Sequence, residues 1–275
     1  MKVVIVGGVA GGASAAARLR RLDESAEIIM FERGEYISFA NCGLPYYIGG
    51  EITKKSALTL QTPQSFNARF NVDVRVNSEV TSIDPKAKTV TVRSKDRGEY
   101  TESYDKLILS PGAAPIRPPM EGADNARVFT LRNIPDTIKI REYVEEEFPE
   151  SAVVVGGGYI GLEFASMFAG FGSEVIVLEG GDKFIAREDR DIADAVKTVL
   201  EKKGITIRLN ASVQSIEHNG SGAVITYKEK EGNEVQLPAD AVLLATGRRP
   251  NTTDLHPEAA GIKISDRGAV IVDEH

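Results

Sequence analysis

The sequence lacks several features that define other classes of protein. It has no tryptophan, three histidines and a single cysteine, Cys42, among 275 residues. One cysteine cannot form an intrachain disulfide, which excludes the disulfide-rich secreted scaffolds. No apolar run approaches the ~20 residues that a membrane-spanning helix needs. These absences together predict a soluble protein of a reducing, cytoplasmic compartment.

The sequence also lacks an excess of basic residues. Lys and Arg number 33 against 40 Asp and Glu, so the formal net charge is −7. The acidic excess is spread along the chain, which disfavours a nucleic-acid or anionic membrane surface as partner. Hydrophobic residues make up 42% and charged residues 27%, which excludes a disordered or fibrous chain. No metal site is predicted.

One pattern occurs twice in the chain. A β-branched run is followed by glycines and a helical pattern at Val3–Gly12, and the same order returns at Ala152–Gly161. In each copy a second apolar run then ends in an acid, at Glu32 and at Glu179. Strand, turn, helix and strand in this order form the unit of a doubly wound parallel sheet. The sequence therefore predicts an α/β fold with two dinucleotide-binding units.

The second glycine loop has the complete dinucleotide fingerprint. Gly156, Gly158 and Gly161 follow a predicted strand, and Tyr159 and Ile160 open the helix after it. Glycine permits the sharp turn and the close backbone approach to a pyrophosphate, while the helix N-terminus points free N–H groups at the charge. We interpret this loop as the nicotinamide-nucleotide site. The alternative is a plain strand-to-helix turn.

The first loop departs from the fingerprint at one position. Its first and last glycines are in place, but Val9 stands where the middle glycine is expected and limits the closest backbone approach. Neighbouring glycines can compensate, so this loop is interpreted as a second dinucleotide site. Its residues are Gly7, Gly8, Val9, Ala10, Gly11 and Gly12.

The two strand-end acids indicate which nucleotides bind. A carboxylate in this place accepts both hydroxyls of an adenosine ribose and repels a 2′-phosphate. Glu179 therefore favours NADH, and Glu32 suits FAD. Lys183 and Arg187 are near enough in sequence to keep NADPH as an alternative. A solvated strand end is the simpler interpretation of each glutamate, since most glutamates are exposed.

Cys42 is the one candidate nucleophile. Taken alone, a single cysteine is more often a buried, inert residue. Here Asn41 and Gly43 flank it, Ser38 is close, and Glu32 precedes it by ten residues, so we expect the thiol near a bound flavin. Because no second cysteine exists, its oxidised form has to be a mixed disulfide, a persulfide or a sulfenic acid.

Three further segments carry a resemblance to a known family. Together with the paired loops, the chain resembles the FAD-dependent pyridine nucleotide–disulfide oxidoreductases. Within them it is similar to the single-cysteine branch of coenzyme A-disulfide reductases and NADH-dependent persulfide reductases. The segments are Ser38-Phe39-Ala40-Asn41-Cys42-Gly43-Leu44-Pro45-Tyr46, Ser110-Pro111-Gly112-Ala113 with Pro115, and Ala245-Thr246-Gly247-Arg248-Arg249-Pro250-Asn251.

The resemblance implies roles for individual residues. Cys42 would be the redox-active cysteine, with Ser38 and Asn41 binding coenzyme A or the flavin side. Residues implied to hold FAD are Gly7–Gly12, Glu32, Arg33, Val80, Ser110 and Gly112. Residues implied to hold NADH, with NADPH as the alternative, are Gly156–Gly161, Glu163, Glu179 and Gly247.

The resemblance also implies three-layer domains and their order along the chain. Two Rossmann-like domains are expected, the second inserted in the first: an FAD-binding part over 1–114, an NAD(P)-binding domain over 115–243, and a return to the FAD-binding domain over 244–275. The dimerisation domain of longer relatives is absent from the sequence. The chain is therefore interpreted as truncated at its C-terminus, and a homodimer is expected for full-length relatives.

The expected function is a flavoprotein oxidoreductase. It would pass a hydride from NAD(P)H through FAD to a mixed disulfide or persulfide at Cys42, with coenzyme A disulfide, its persulfide or a related small thiol as substrate. Ala10 stands where the single-cysteine peroxidases and oxidases carry a histidine, which disfavours peroxide or oxygen. Two alternatives stay open: a flavin-linked electron-transfer reductase with a structural Cys42, and an inactive NAD-binding fragment.

Overall fold

The computed structural model describes residues 1–220 and 222–274, and in them the chain forms two compact units. The first unit comprises residues 1–40, 55–114 and those from 249 onward, and the second comprises 41–54 and 115–248. The cysteine segment therefore groups with the second unit. The α/β class predicted from the sequence is confirmed. The functional domain boundaries at 114 and 243 stay a prediction.

The strands fall into parallel and antiparallel sheets. In chain order they are β1 Lys2–Val6, β2 Glu27–Phe31, β3 Asp73–Arg75, β4 Ser78–Asp84, β5 Thr89–Ser94, β6 Gly98–Ser103, β7 Lys106–Leu109, β8 Ala113–Pro115, β9 Val128–Phe129, β10 Ser151–Val155, β11 Glu174–Leu178, β12 Thr206–Arg208, β13 Ser212–Asn219, β14 Gly222–Lys228, β15 Glu234–Ala239, β16 Ala241–Leu244 and β17 Arg248–Pro250.

The α-helices lie between these strands, and short 3-10 turns occur as well. The helices are α1 Ala10–Leu22, α2 Leu44–Ile48, α3 Pro63–Phe70, α4 Ile134–Glu147, α5 Tyr159–Gly170 and α6 Arg190–Lys202. The 3-10 turns are Asn41–Gly43, Lys55–Leu58, Thr253–Leu255 and Pro257–Ala260. Within the described residues, no helix combines the length and the apolar character needed to cross a membrane.

The first unit is built on a parallel sheet in the order β3-β2-β1-β7 and an antiparallel sheet β4-β5-β6. Side chains alternate between the two faces of a strand. Val3 and Ile5 pack in one apolar cluster with residues of α1, while Val4 and Val6 pack in another with residues of β4 and β5. Strand β1 is therefore covered on both faces, which explains its uninterrupted apolar sequence.

The second unit repeats this plan. Its parallel sheet has the order β12-β11-β10-β16-β9, and β13-β14-β15 form the antiparallel sheet. Gly7 donates its N–H to the Phe31 carbonyl at 2.8 Å in the first unit, and Gly156 donates to the Leu178 carbonyl at 2.8 Å in the second. Each glycine loop thus starts where β1 or β10 leaves its parallel neighbour, at the carboxyl edge of the sheet.

A partly buried ion cluster ties three strands of the first unit together. The Glu102 carboxylate accepts a hydrogen bond from Lys2 Nζ at 2.5 Å and from Arg75 Nη1 at 2.6 Å. Burial alone would raise the pKa of Glu102, but the hydrogen bonds from the two cations outweigh it and lower the pKa below its ordinary value. The pairs therefore stabilise the fold with Glu102 ionised.

We predict that Glu102→Gln lowers the free energy of unfolding by ~1–3 kcal/mol near neutral pH, because two half-buried cations lose their counter-charge. The wild-type advantage exists above the ordinary pKa of glutamate and is lost as pH falls through the lowered pKa of the folded state. Urea unfolding at neutral and acid pH measures this difference. The exposed Glu99→Gln on the same strand is the control, and equal losses in both variants would contradict the prediction.

Candidate functional site

The first glycine loop brings a strand, a turn and a helix into backbone contact. Gly7 has φ +98°, and a Cβ there would lie 2.0 Å from the Ser110 carbonyl oxygen. A Cβ on Gly12 would lie 1.7 Å from the Gly7 carbonyl oxygen. Both contacts are far inside van der Waals distance, so these two glycines are required by the fold itself.

The second loop has the same construction. Gly156 has φ +109°, and a Cβ there would lie 2.5 Å from the Ala245 carbonyl oxygen. A Cβ on Gly161 would lie 2.2 Å from the Gly156 carbonyl oxygen. Two different stretches of sequence therefore produce one geometry, as the internal repeat predicts.

Neither helix that follows a loop has an N-terminal side-chain cap. The N-cap residues of α1 and α5 are Val9 and Gly158, and neither helix has an acidic residue in its first turn. The first N–H groups of a helix have no intrahelical partner, and the helix dipole adds positive character there. An anion such as a pyrophosphate therefore fits both helix starts.

The middle position of the loop is Gly158 in the second unit and Val9 in the first. Gly158 has φ −83°, and a Cβ built on it meets nothing within 4 Å. The backbone therefore does not need glycine at this position. Val9 at the matching position has a similar φ of −94°, but its ψ of −118° differs from the extended backbone of Gly158. The open space at Gly158 fits the close approach of a phosphate, while the first loop would receive its ligand beside a valine side chain.

The two strand-end glutamates hold the loops. Glu32 accepts the Gly8 N–H on Oε2 at 2.8 Å and the Gly34 N–H on Oε1 at 2.8 Å. Glu179 accepts the Gly157 N–H on Oε2 at 2.8 Å and the Gly181 N–H on Oε1 at 2.7 Å. Neither is a simple solvated strand end. Each carboxylate oxygen keeps a further lone pair, so acceptance of ribose hydroxyls stays chemically feasible.

A cleft in the first unit collects predicted FAD residues from separate parts of the chain. It brings together Gly7, Glu32, Arg33 and Val80. Other predicted residues stand at the same edge: Ser110 donates its N–H to the Val6 carbonyl at 2.7 Å. Sequence reasoning missed Phe31, Ser78, Glu79, Pro111, Asn251, Asp254 and Leu255 as lining residues.

The remaining predicted residues of this group stand around that cleft without lining it. Gly8 and Gly11 lie in the loop and the first helical turn, and Ala10 begins α1. Gly112 has φ +70°, and its carbonyl accepts the Asn251 N–H at 3.0 Å. Asn251 was part of a motif quoted from the sequence, which was the one available signal for its place here.

Two clefts in the second unit share Gly158. One contains Gly156, Glu179 and Gly180, and the other contains Tyr159, Ile160 and Gly247. Of the predicted nicotinamide-nucleotide residues, the two clefts thus contain Gly156, Gly158, Tyr159, Ile160, Glu179 and Gly247, while Gly157, Gly161 and Glu163 do not line them. Lining residues that sequence reasoning missed are Pro118, Met120, Leu131, Val155, Leu178, Gly180, Ala211, Ser212, Val213 and Leu244. The motifs quoted from the sequence contribute Pro115, Ala245, Thr246 and Arg248, to which no role had been assigned.

Glu163 lies on α5, two residues after Gly161, and is half-buried. Burial raises the pKa of its carboxyl above the ordinary value. Within residues 1–220 and 222–274 it makes no hydrogen bond or ion pair. It is a carboxylate placed where its ionised form is unfavourable, and perturbed groups of this kind often serve a ligand.

Cys42 is exposed, so the buried position that a single cysteine more often occupies is wrong for this chain. It occupies the 3-10 turn Asn41–Gly43 that leads into α2. Arg141 on α4 holds this segment by donating from Nη1 to the Tyr47 carbonyl at 2.6 Å. The thiol is therefore accessible on a turn whose backbone is tied to a helix.

The two polar residues predicted around the thiol fall in different units. Ser38 belongs to the first unit, has φ +44° and donates its N–H to the Gly8 carbonyl at 3.0 Å. Asn41 belongs to the second unit, where its Oδ1 accepts a hydrogen bond from Arg132 Nη1 at 2.8 Å. Their roles toward coenzyme A or flavin stay predictions.

Two parallel-sheet units with matching glycine loops, together with one exposed cysteine, define a two-nucleotide oxidoreductase class. The family model described as pyridine nucleotide-disulphide oxidoreductase matches residues 1–275, and the chain belongs to this family. The family's enzymes use FAD and NAD(P)H, which confirms the cofactors predicted from the sequence. The resemblance stated above is likewise confirmed.

Three known proteins illustrate the relationship. A coenzyme A disulfide reductase of Staphylococcus haemolyticus is 34% identical over 99% of this chain and 59% of its own length. The reduced CoADR-RHD of Bacillus anthracis has a TM-score of 0.89 and 45% identity over 97% of this chain and 47% of its own. A NAD-dependent persulfide reductase of A. fulgidus has a TM-score of 0.91 and 37% identity over 100% and 50%. The chain thus spans about half to three-fifths of these relatives.

We predict that Gly158→Ala and Gly161→Ala separate ligand binding from folding. A Cβ on Gly158 meets no protein atom but would enter the space of a bound phosphate, so NADH affinity is expected to fall about tenfold or more with the unfolding free energy within ~1 kcal/mol of wild type. A Cβ on Gly161 meets backbone and is expected to cost at least ~1–3 kcal/mol. Calorimetric NADH titration and urea unfolding test this, and unchanged NADH affinity in Gly158→Ala would contradict it.

We predict that Glu163→Gln stabilises the protein at neutral pH. The pKa of the Glu163 carboxyl is raised in the folded protein, so wild type loses stability as pH rises from the pKa of an unfolded glutamate, ~4.3, to the pKa of the folded state. The glutamine amide does not titrate, so the variant does not have this loss. The difference between variant and wild type should be smallest near pH 4 and largest at pH 7–8. Urea unfolding across this range measures it, with the exposed Glu174→Gln as control. A difference independent of pH would contradict the prediction.

Proposed function

We propose that the chain contains the nucleotide-binding units and the reactive thiol of a flavoprotein disulfide or persulfide reductase. One observation carries the proposal: the single cysteine of the chain is exposed on a fixed turn, in a protein with two matching dinucleotide loops. The chain spans 59% of the curated relative described above.

The thiol chemistry follows from having one cysteine. The Cys42 thiolate attacks a disulfide RS–SR, forms a mixed disulfide with one RS group and releases the other as thiolate. Two electrons from NAD(P)H then cleave that mixed disulfide, and a proton accompanies release of the second thiol. The balance is NAD(P)H, one proton and one disulfide giving NAD(P)⁺ and two thiols. With a persulfide, cleavage of its S–S bond yields hydrogen sulfide and a thiol.

The chain's own residues supply the nucleotide sites for this reaction. Gly7–Gly12, Glu32, Arg33 and Val80 would hold FAD, which when bound supplies the two-electron link between nicotinamide and sulfur. The Gly156–Gly161 loop would bind the nicotinamide nucleotide's pyrophosphate through backbone N–H groups. Glu179 favours NADH because its carboxylate repels a 2′-phosphate, with NADPH as the alternative that Lys183 and Arg187 keep open.

We propose coenzyme A disulfide, coenzyme A persulfide or a related small thiol derivative as substrate. Support comes from the relatives, one named a coenzyme A disulfide reductase and another a persulfide reductase. The other elements of the proposal are a cytoplasmic location and no nucleic acid or membrane as partner, which rest on the single cysteine and the dispersed acidic charge. A homodimer is proposed for full-length relatives, and this element rests on the family resemblance alone.

We predict that Cys42→Ser separates flavin reduction from disulfide reduction. The variant, loaded with FAD and desalted, should retain its visible flavin spectrum and still bleach with NADH under anaerobic conditions, because neither step needs the thiol. Its turnover of coenzyme A disulfide should fall at least ~100-fold, since the nucleophile is lost. Wild-type protein alkylated with iodoacetamide should behave like the variant. Glu51→Gln, an exposed change in the same segment, is the control.

Two outcomes would contradict the proposal. Equal disulfide turnover in wild type and Cys42→Ser would mean that the thiol has no catalytic role, and it would favour the electron-transfer reductase. A wild-type chain that stays colourless after FAD addition would favour the NAD-binding fragment. Measuring NADH oxidation with ferricyanide in parallel identifies electron transfer that bypasses the thiol.

A further inference from the structure

The second unit has a groove at the edge of its parallel sheet that lies opposite the glycine loop. Strands β10 and β11 begin at this edge, with Ser151 paired to Glu174 in parallel register. The groove has a volume of about 370 Å³ and runs between these strand starts, the start of β14 and the end of β15. We call it the amino-edge groove. Most of its wall is apolar, formed by Ala152, Val153, Ile176, Ala223, Leu237 and Pro238.

One carboxylate of the groove is fixed by the backbone and still has a free oxygen. Asp240 Oδ2 accepts the Glu150 N–H at 3.0 Å, the Ser151 N–H at 2.9 Å and the Ser151 hydroxyl at 2.9 Å. Its Oδ1 accepts no hydrogen bond from the described residues. Because none of their buried side-chain oxygens is without a partner, Oδ1 has to be open to solvent. The amino-edge groove therefore offers a positioned acceptor to a donor from outside.

The surroundings of the groove carry further negative charge. Glu174 lines it, Glu150 precedes β10, and both side chains are exposed and without an ion pair among the residues that the structure describes. No described lysine or arginine lines the groove. The hydroxyl that Arg127 contacts donates to the Asp240 carbonyl, but the charge of Arg127 is paired with Glu147 at 3.5 Å. The electrostatic potential at the amino-edge groove is therefore negative.

Two exposed aromatic side chains stand on the loops beside the groove. Phe148 is 76% exposed and Phe171 is 44% exposed. Their loops meet where the Glu174 N–H donates to the Glu150 carbonyl at 2.8 Å, directly before β11 and β10. Single exposed apolar residues are ordinary, but large ones that adjoin an apolar groove are typical of an interaction surface.

The backbone of Phe148 is unfavourable for its residue type. Phe148 follows the last residue of α4 with φ +47° and ψ +59°, in the left-handed region. Glycine and asparagine are the residues that suit a helix end of this kind, and a bulky side chain there is uncommon. The chain thus holds an aromatic ring in water at the expense of its own backbone, which indicates a use for the ring outside the fold.

We propose that the amino-edge groove docks a basic segment of a partner protein. An apolar side chain of that segment fills the groove, and flanking lysines or arginines pair with Glu150, Glu174 and Asp240 Oδ1. The rings of Phe148 and Phe171 offer cation–π contacts to the same cations. Charge complementarity selects this partner, since carboxylates around an apolar groove attract cations and repel an acidic segment. Docking at this edge leaves the glycine loop at the opposite edge free.

The test measures peptide binding to the full 275-residue chain with FAD added. The probe is a short fluorescein-labelled peptide with a central leucine between lysines and arginines. One control peptide has alanine in place of the leucine, and another has glutamates in place of the basic residues. Fluorescence anisotropy in ~0.1 M salt gives each dissociation constant, because charges farther apart than ~10 Å are then largely screened.

We predict that Glu174→Gln and Glu150→Gln each weaken binding of the leucine peptide about threefold, because each removes one unit charge several ångströms from a cation. The alanine peptide should bind wild type at least ~fivefold more weakly, since less apolar surface is buried. Glu231→Gln is the matched control. This exposed glutamate lies in the turn at the other end of the β14–β15 hairpin, ~20 Å away, and its loss should leave the dissociation constant unchanged.

Phe148→Asn gives a second readout. Asparagine tolerates the left-handed region, so the melting temperature should stay the same or rise, while binding of the leucine peptide should weaken about threefold through loss of the ring. A merely structural role of Phe148 would lower the melting temperature and leave binding unchanged. If Phe148→Asn does not fold by circular dichroism, Phe171→Asn on the second loop decides by the same loss of binding.

Several outcomes would overturn the inference. They are absence of binding by the leucine peptide, equal binding of the leucine and alanine peptides, and a loss in Glu231→Gln equal to that in Glu174→Gln. If sedimentation shows that the chain alone is a dimer and that the leucine peptide dissociates it, a second copy covers the groove and the basic partner is rejected. None of these measurements uses turnover, so they are independent of Cys42.

Discussion

The first turn of α1 lies against the Gly7 carbonyl, and the first turn of α5 lies against the Gly156 carbonyl. At Gly12 and at Gly161 even a methyl group would sit 1.7 Å and 2.2 Å from that oxygen. This approach sets how closely α1 and α5 lie on their sheets, and with it the direction of their uncapped N-terminal N–H groups. The anion sites of both units depend on it, since the same groups would be aimed elsewhere if the helix stood farther from the strand.

The strand-end carboxylates make these loops rigid before any ligand binds. Glu32 and Glu179 each accept two backbone N–H groups, one from the loop and one from the residues after the strand. A preformed loop does not have to be ordered on binding, which reduces the entropic cost of association. The same carboxylates that would receive ribose hydroxyls therefore have a structural part as well. This double use explains why an acid suits the position in both units.

The cysteine turn depends on side chains rather than on regular secondary structure. The 3-10 turn and the short helix α2 are held by two arginines, one before α4 and one within it, which contact Asn41 and the Tyr47 carbonyl. A thiol on such a turn is accessible and still held in place. Reactive groups are often carried in this way, on irregular segments positioned by a rigid scaffold.

The sequence by itself determined the features that act locally. Glycines at the close approaches, β-branched strands and strand-end acids are set by residue type and spacing, so the repeated unit, its two loops and Glu32 and Glu179 were predictable. Only the tertiary structure decided which distant residues join them. Asp254 reaches the first cleft and Arg132 reaches Asn41 across long stretches of chain, because their placement follows from packing and helix capping. No local pattern marks such contacts, and so the exposure of Cys42 and the partner of Asn41 became visible only in the folded chain.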